Sequence, residues 1–225
     1  MRADRDFFAR DALEVAMDLV GCGLVAGEVT LRITETEAYR DGGDTANHCR
    51  FGKTERNAAM FGPPGHAYVY LCYGLHWMLN LVTDREGVGA AVLIRSAEIV
   101  SGHELVHARR KVGTPLTPLA QARLVAGPGK VGQALGLDRR FDHHPVIARG
   151  PLELHLATAR PVLSSGPRVG IDYAAPEHRF APWRFADAHS RAITEPRTLS
   201  PIASPAPGQE LSPPTPSKGR RSRRG

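Results

Sequence analysis

Cysteine is scarce in these 225 residues: Cys22, Cys49 and Cys72 stand far apart, with no Cys-x-x-Cys pair. An odd, low count argues against a disulfide framework and for a reducing compartment, so a secreted chain is not expected. A zinc site needs ligands paired at short spacing. His48-Cys49 does not supply that pattern, and no metal is expected. No run approaches the roughly eighteen apolar residues of a membrane span. The opening Met1-Arg2-Ala3-Asp4-Arg5-Asp6 leads into no apolar signal-peptide core. Lysine is rare too, at Lys53, Lys111, Lys130 and Lys218.

What is present is 42% hydrophobic residues, enough for one sizeable core, and a formal net charge of +6. The charge is unevenly spread. From Arg197 to the end there are six basic residues against Glu210 alone, so residues 1–196 are almost neutral. A basic chain often binds nucleic acid, but bulk charge supports that here only through the end of the chain. The last 29 residues hold six prolines, five serines and three glycines. That composition predicts one folded domain over 1–196 and a disordered basic tail over 197–225.

The stretch that organises the chain is Glu35-Thr36-Glu37-Ala38-Tyr39, which closes the alternating run Leu31-Arg32-Ile33-Thr34. Strict alternation predicts a strand with Ile33, Glu35, Glu37 and Tyr39 on one face. Two carboxylates beside an aromatic make a poor core, because carboxylates are seldom buried without partners. Taken alone, such a face is usually just solvated. The turn Asp41-Gly42-Gly43-Asp44, the pair Asn47-His48 and the tyrosines that follow favour a strand that delivers a carboxylate to a pocket.

Before that strand, Asp11 caps a helix carrying Ala12, Leu13, Val15, Ala16, Leu19 and Val20, with Gly21 as its stop, and a short strand lies near residues 23–26. After it, residues 41–66 read as loop around a short helix at 55–61. Three strands then form an antiparallel meander: 66–73 with a tight turn at Gly74, 77–83, and 90–95. Residues 98–125 read as helix broken at Gly113-Thr114-Pro115. Gly127-Pro128-Gly129-Lys130 opens another helix, whose free amides and lysine suit a phosphate; a plain connector fits the pattern equally well. Short strands are expected at 152–156, 168–171 and 182–185.

Tyr68, Tyr70 and Tyr73 cluster around one turn, Asn80 lies on the return strand, and Arg95 ends the next. A tyrosine strip is more often core than site. With a histidine, an asparagine and a carboxylate, however, it makes a slot for a flat heteroaromatic, where stacking contributes about 1–3 kcal/mol per base.

These motifs resemble the alkyladenine (3-methyladenine) DNA glycosylases. The resemblance rests on Glu35-Thr36-Glu37-Ala38-Tyr39, Ala46-Asn47-His48, Arg56-Asn57-Ala58-Ala59-Met60-Phe61, the hairpin from Pro64-Gly65 to Tyr73-Gly74, Asn80 and Val92-Leu93-Ile94-Arg95. Gly127-Pro128, Gly150-Pro151-Leu152 and Arg168-Val169-Gly170 also match, so that most of residues 5–190 is covered. The resemblance implies a single mixed α+β domain with an antiparallel sheet core and surrounding helices. It implies a monomer acting on double-stranded DNA that carries damaged purines, with neither metal nor cofactor. It places the catalytic base at Glu37 rather than Glu35, and Arg95 beside the water or the target phosphate. Tyr39, His48 and Tyr70 would surround a flipped base. Asn80 would clash with the 2-amino group of normal guanine. Tyr73 would wedge into the duplex. None of the lysines falls in the matched pocket motifs, so Schiff-base chemistry and strand cleavage are not expected.

Three other readings make different demands. A helix-hairpin-helix glycosylase would use the Gly127-Pro128-Gly129 turn with Asp138 or Asp142 as its acid. A lesion- or RNA-binding module would use the tyrosines without catalysis. A nucleoside hydrolase would be indifferent to duplex DNA.

Overall fold

The computed structural model describes residues 1–202. A short strand, β1 (Gly23–Ala26), turns back into the eleven-residue β2 (Val29–Tyr39), which lies in the middle of the sheet. The expected meander follows as β3 (Ala67–Cys72), β4 (His76–Val82) and β5 (Ala91–Ser101). The remaining strands are β6 (Glu153–His155), β7 (Leu163–Gly166), β8 (Arg184–Asp187) and β9 (Ser200–Pro201). The order is β3-β4-β5-β2-β8-β7-β9, with β1 on β2 and β6 on β1, and all pairs are antiparallel. With its helices this makes a single mixed α+β domain, as expected.

α1 (Arg5–Phe8) leads into α2 (Ala12–Leu19). Asp11 caps α2 as its position predicts, accepting from the Leu13 amide at 2.8 Å. The helix buries six apolar residues and is tied to the sheet where Thr36 Oγ1 donates to the Ala16 carbonyl at 2.8 Å. A 3₁₀ turn, Glu55–Phe61, starts on a reciprocal cap between Thr54 and Asn57. α3 (His103–Arg110), α4 (Pro118–Ala122), α5 (Pro128–Leu135) and α6 (Pro176–Arg179) complete the set. α5 lies directly on β4. A Cβ at Gly132 would stand 2.1 Å from the Trp77 carbonyl oxygen, so only glycine allows the helix this close.

Several sequence expectations shift. Residues 98–101 were expected to be helical but extend β5, because Arg32 opposite draws Glu98 into register and pairs with it at 3.1 Å. Residues 168–171 form a bend, not a strand; the strand in that region is β7, whose Ser164-Ser165-Gly166 carries little apolar pattern. The domain expected to end at 196 continues: Ser200 and Pro201 pair with β7, and Ile202 packs against the core. The rest of the expected tail, 203–225, lies outside the described residues.

Candidate active site

Two opposite register slips between β2 and β5 leave Thr34 and Arg95 without partners across the ladder. Leu31, Ile33 and Ala38 all pack into the main core. Ile33 and Ala38 are an odd number of residues apart, so strict alternation would separate them. The bulge resets the phase. Ile33 therefore does not share the face of Glu35, Glu37 and Tyr39, contrary to the alternation argument. The bulged Arg95 is aimed at the two carboxylates: its Nη1 is 3.3 Å from Glu37 and its Nε 3.8 Å from Glu35.

Three buried carboxylates here meet three buried guanidiniums. Asp44 takes a two-pronged bond from Arg168 at 2.6 and 2.8 Å. Glu35 is saturated: Arg184 Nη1 and Ser96 Oγ each donate at 2.6 Å, and Thr194 donates through its amide and its hydroxyl, both at 2.8 Å. Glu37 is tied more loosely, accepting the Val169 amide at 2.8 Å and the Tyr39 hydroxyl at 2.9 Å. Burial opposes the charge on Arg95, yet Glu37 and Glu35 outweigh it and hold the guanidinium above its ordinary pKa. Burial and the adjoining Glu37 push the Tyr39 hydroxyl well up, so it is a donor at neutral pH.

In front of this network lies a cavity of about 770 Å³. Tyr39, His48, Tyr70, Tyr73, Asn80 and Arg95 all line it, as do Arg56, Val169 and Tyr173. Glu37 has no exposed surface; it sits one layer behind, in contact with the lining groups Tyr39, Val169 and Arg95. His48 meets Tyr70 edge to face at 4.7 Å, and Tyr68 stacks behind Tyr70 at 5.3 Å. The Tyr68 hydroxyl is 3.0 Å from His48 Nδ1, which fixes the imidazole. Packing against the tyrosines, then Arg56 and Arg50, lower the His48 pKa, although the residue as a whole is exposed and solvent weakens the shift. Asn80 donates to the Tyr68 carbonyl at 3.1 Å.

Tyr73 is 93% exposed at the tip of the β3–β4 hairpin. Leu75 N–H closes the turn on the Cys72 carbonyl at 3.0 Å, with positive φ at Tyr73 (50°) and Gly74 (69°). A tyrosine held in that conformation is strained, and such strain gathers at functional sites. Lys130 sits in the first turn of α5, whose Pro128 lines the cavity; Lys130 itself does not. Burial, then the neighbouring Arg110 and Arg123, lower its pKa. Neither Asp138 nor Asp142 lines the cavity. Asp138 is held by the exposed Arg140, and Asp142 accepts the Val69 amide at 2.8 Å.

A family model for methylpurine-DNA glycosylase matches residues 6–191. The chain belongs to the methylpurine-DNA glycosylase family. A DNA-3-methyladenine glycosylase of Arabidopsis thaliana is 54% identical over 200 residues, covering 88% of this chain and 76% of the relative. A Nitrosococcus oceani protein provisionally named 3-methyladenine DNA glycosylase is 56% identical over 180 residues, covering 80% and 87%. One from Methanocella arvoryzae with the same provisional name is 44% identical over 197 residues, covering 85% and 94%. Relatives in this methylpurine-DNA glycosylase family are thus named for removing a methylated base from DNA.

Sequence reasoning gave no role to Arg168, Arg184 or Thr194. Arg168 backs the Tyr39 ring at 4.7 Å and bonds the Ala38 carbonyl at 2.9 Å. Its motif had been matched, but nothing local says that its partner is Asp44, more than a hundred residues away.

Proposed function

We propose that the cavity receives a damaged purine turned out of duplex DNA and that Glu37 promotes hydrolysis of its N-glycosyl bond, leaving an abasic site. One observation carries this: of two adjoining buried carboxylates, Glu35 is saturated by donors, while Glu37 keeps acceptor capacity beside the aromatic cavity. A base inside a duplex must be flipped out before an enzyme reaches its glycosidic bond. Tyr39, His48 and Tyr70, which line the cavity, would offer the stacking surfaces, and the exposed Tyr73 would fill the gap left in the helix. Asn80 on the cavity wall would exclude the 2-amino group of normal guanine.

Glycoside cleavage passes through an oxocarbenium-like state at the sugar. A dry carboxylate stabilises that cation far better than a solvated one, and it takes the proton of the attacking water. A water oxygen bonds to the anomeric carbon as the purine departs with the bond electrons. Arg95, 3.3 Å from Glu37, would hold that water or the target phosphate. A purine such as 3-methyladenine already carries positive charge and leaves without a strong acid. Neutral hypoxanthine or ethenoadenine would need a proton before it could leave. Among the described residues no lysine lines the cavity, which supports a monofunctional glycosylase without a Schiff base. The enzyme would act as a monomer.

The test is incubation of the protein with duplex oligonucleotides carrying alkylated purine, hypoxanthine or ethenoadenine, followed by alkaline cleavage at abasic sites. Lesion-dependent cleavage is expected, with no strand break before alkali. Tight binding without abasic product would convert the reading to a lesion-binding module.

A further inference from the structure

We propose that Thr194 is a positioning residue for the reaction, its hydroxyl setting the reach of Arg95 toward Glu37; this rests on the reading of Glu37 and Arg95 above. The family match ends at residue 191, so Thr194 lies beyond it. Its hydroxyl accepts from Arg95 Nε at 2.8 Å and donates to Glu35 Oε1 at 2.8 Å. Without that acceptor, Nε would face Glu35 at 3.8 Å with no hydrogen bond. Arg95 would then keep its ion pair with Glu37 at 3.3 Å but have no side-chain hydrogen bond, among the described residues, to fix its reach.

The segment carrying Thr194 is itself fastened. Thr34 Oγ1 donates to the Ala192 carbonyl at 2.5 Å, and Arg184 Nη1 donates to the Thr194 carbonyl at 2.8 Å. Arg184 also bonds the Thr198 hydroxyl. Glu35 is thus the fixed post, Thr194 the link and Arg95 the arm. The bulge that leaves Arg95 unpaired in the ladder gives the arm its direction but not its extension. The hydroxyl supplies that second constraint.

The experiment compares Thr194→Val, which keeps shape and the backbone amide to Glu35, with Thr194→Ser, which keeps the hydroxyl. Single-turnover release of an alkylated purine is measured at saturating enzyme, alongside affinity for a duplex holding an uncleavable abasic analogue and thermal melting. A displacement of about 1 Å at a catalytic group can cost roughly 10²-fold. Thr194→Val should lose about 10–100-fold in rate while melting and duplex affinity stay near wild type, and Thr194→Ser should restore the rate to within about threefold. A full rate in Thr194→Val overturns the proposal. So does a loss that tracks melting, or one that serine fails to rescue. Glu37→Gln, run in parallel, separates the two layers. If Glu37→Gln is inactive and Thr194→Val fully active, only the role of Thr194 falls. If Glu37→Gln retains the wild-type rate, the reading of the site falls and this one with it.

Discussion

Glu35 and Glu37 reach the same guanidinium, that of Arg95, from 3.8 and 3.3 Å, although only Glu35 has a second arginine bonded to it. The relationship separates two jobs. One carboxylate holds the sheet together where β2, β5, β8 and the 190–202 segment converge. The other is left with a dry, partly used set of lone pairs against the cavity.

Substituting each should therefore fail differently. Glu37→Gln is expected to reduce single-turnover base release by about 10²–10⁴-fold, the usual worth of a general base, with lesion binding retained. Glu35→Gln leaves Arg184, which has no exposed surface, without its carboxylate. Removing one member of a buried pair costs about 3–5 kcal/mol, so this variant should melt early and express poorly. Denaturant titration and single-turnover kinetics on both proteins check the pair. A stable, slow Glu35→Gln beside a fast Glu37→Gln would reverse the assignment.

Tyr73 offers the opposite case, a side chain the fold does not use. Being 93% exposed, it should be replaceable by serine with no loss of melting temperature. On the proposed reading lesion affinity should fall, because unstacking a base step costs a few kcal/mol and the proposed wedge would be missing. Equal affinity of wild type and Tyr73→Ser for a duplex with an abasic analogue would remove the wedge from the mechanism.

Acidification acts on His48. Its folded pKa lies below the unfolded value of about 6.5, so the stability it contributes is complete above that value and is lost as pH falls through the folded one. Because His48 is itself exposed, solvent screens much of that effect, and melting curves from pH 7.5 down to 5 should fall only slightly more steeply for wild type than for His48→Gln. Parallel curves would show that the imidazole is not desolvated as its surroundings imply.

The end of the chain can be cut at two places with different results. Residues 203–225 carry five basic side chains against Glu210. Truncation after Ile202 should leave the single-turnover rate intact but flatten the salt dependence of DNA binding, by roughly 0.9 in the log–log slope for each phosphate released. Truncation after Pro196 also removes β9 and the Thr198 hydroxyl that bonds Arg184, so it should cost stability. Identical salt slopes for full-length protein and the 1–202 form would leave the basic residues without a role in binding.

Local pattern made much of this legible. The alternation of β2 to β5, the Asp11 cap and the tight turn at Gly74 follow from side-chain period and turn chemistry within a few residues. The phase error at Ile33 arose because the unpaired Thr34 continues the apolar–polar alternation in sequence, so the bulge after Ile33 leaves no local trace. Residues 98–101 deceived because an acidic start to an apolar run imitates a helix, while the decisive partner, Arg32, is distant in sequence. The end of the domain was set too early because proline and serine look like linker even where they pair in an edge strand. The site divides the same way. The groups facing the cavity belong to short motifs, whereas Arg168, Arg184 and Thr194 act across more than a hundred residues, or close to it, and carry no local mark.

The close seat of α5 on β4, made possible by Gly132 against the Trp77 carbonyl, has a mechanical consequence. A shift of the helix bearing Lys130 against the strand that leads out of the Tyr73 hairpin would drive backbone into backbone. On the proposed reading, in which Tyr73 wedges into a duplex, bending falls to the nucleic acid, whose pyrimidine–purine steps yield most easily. Lesions flanked by such steps should be excised faster than the same lesion embedded in a stiff A-tract.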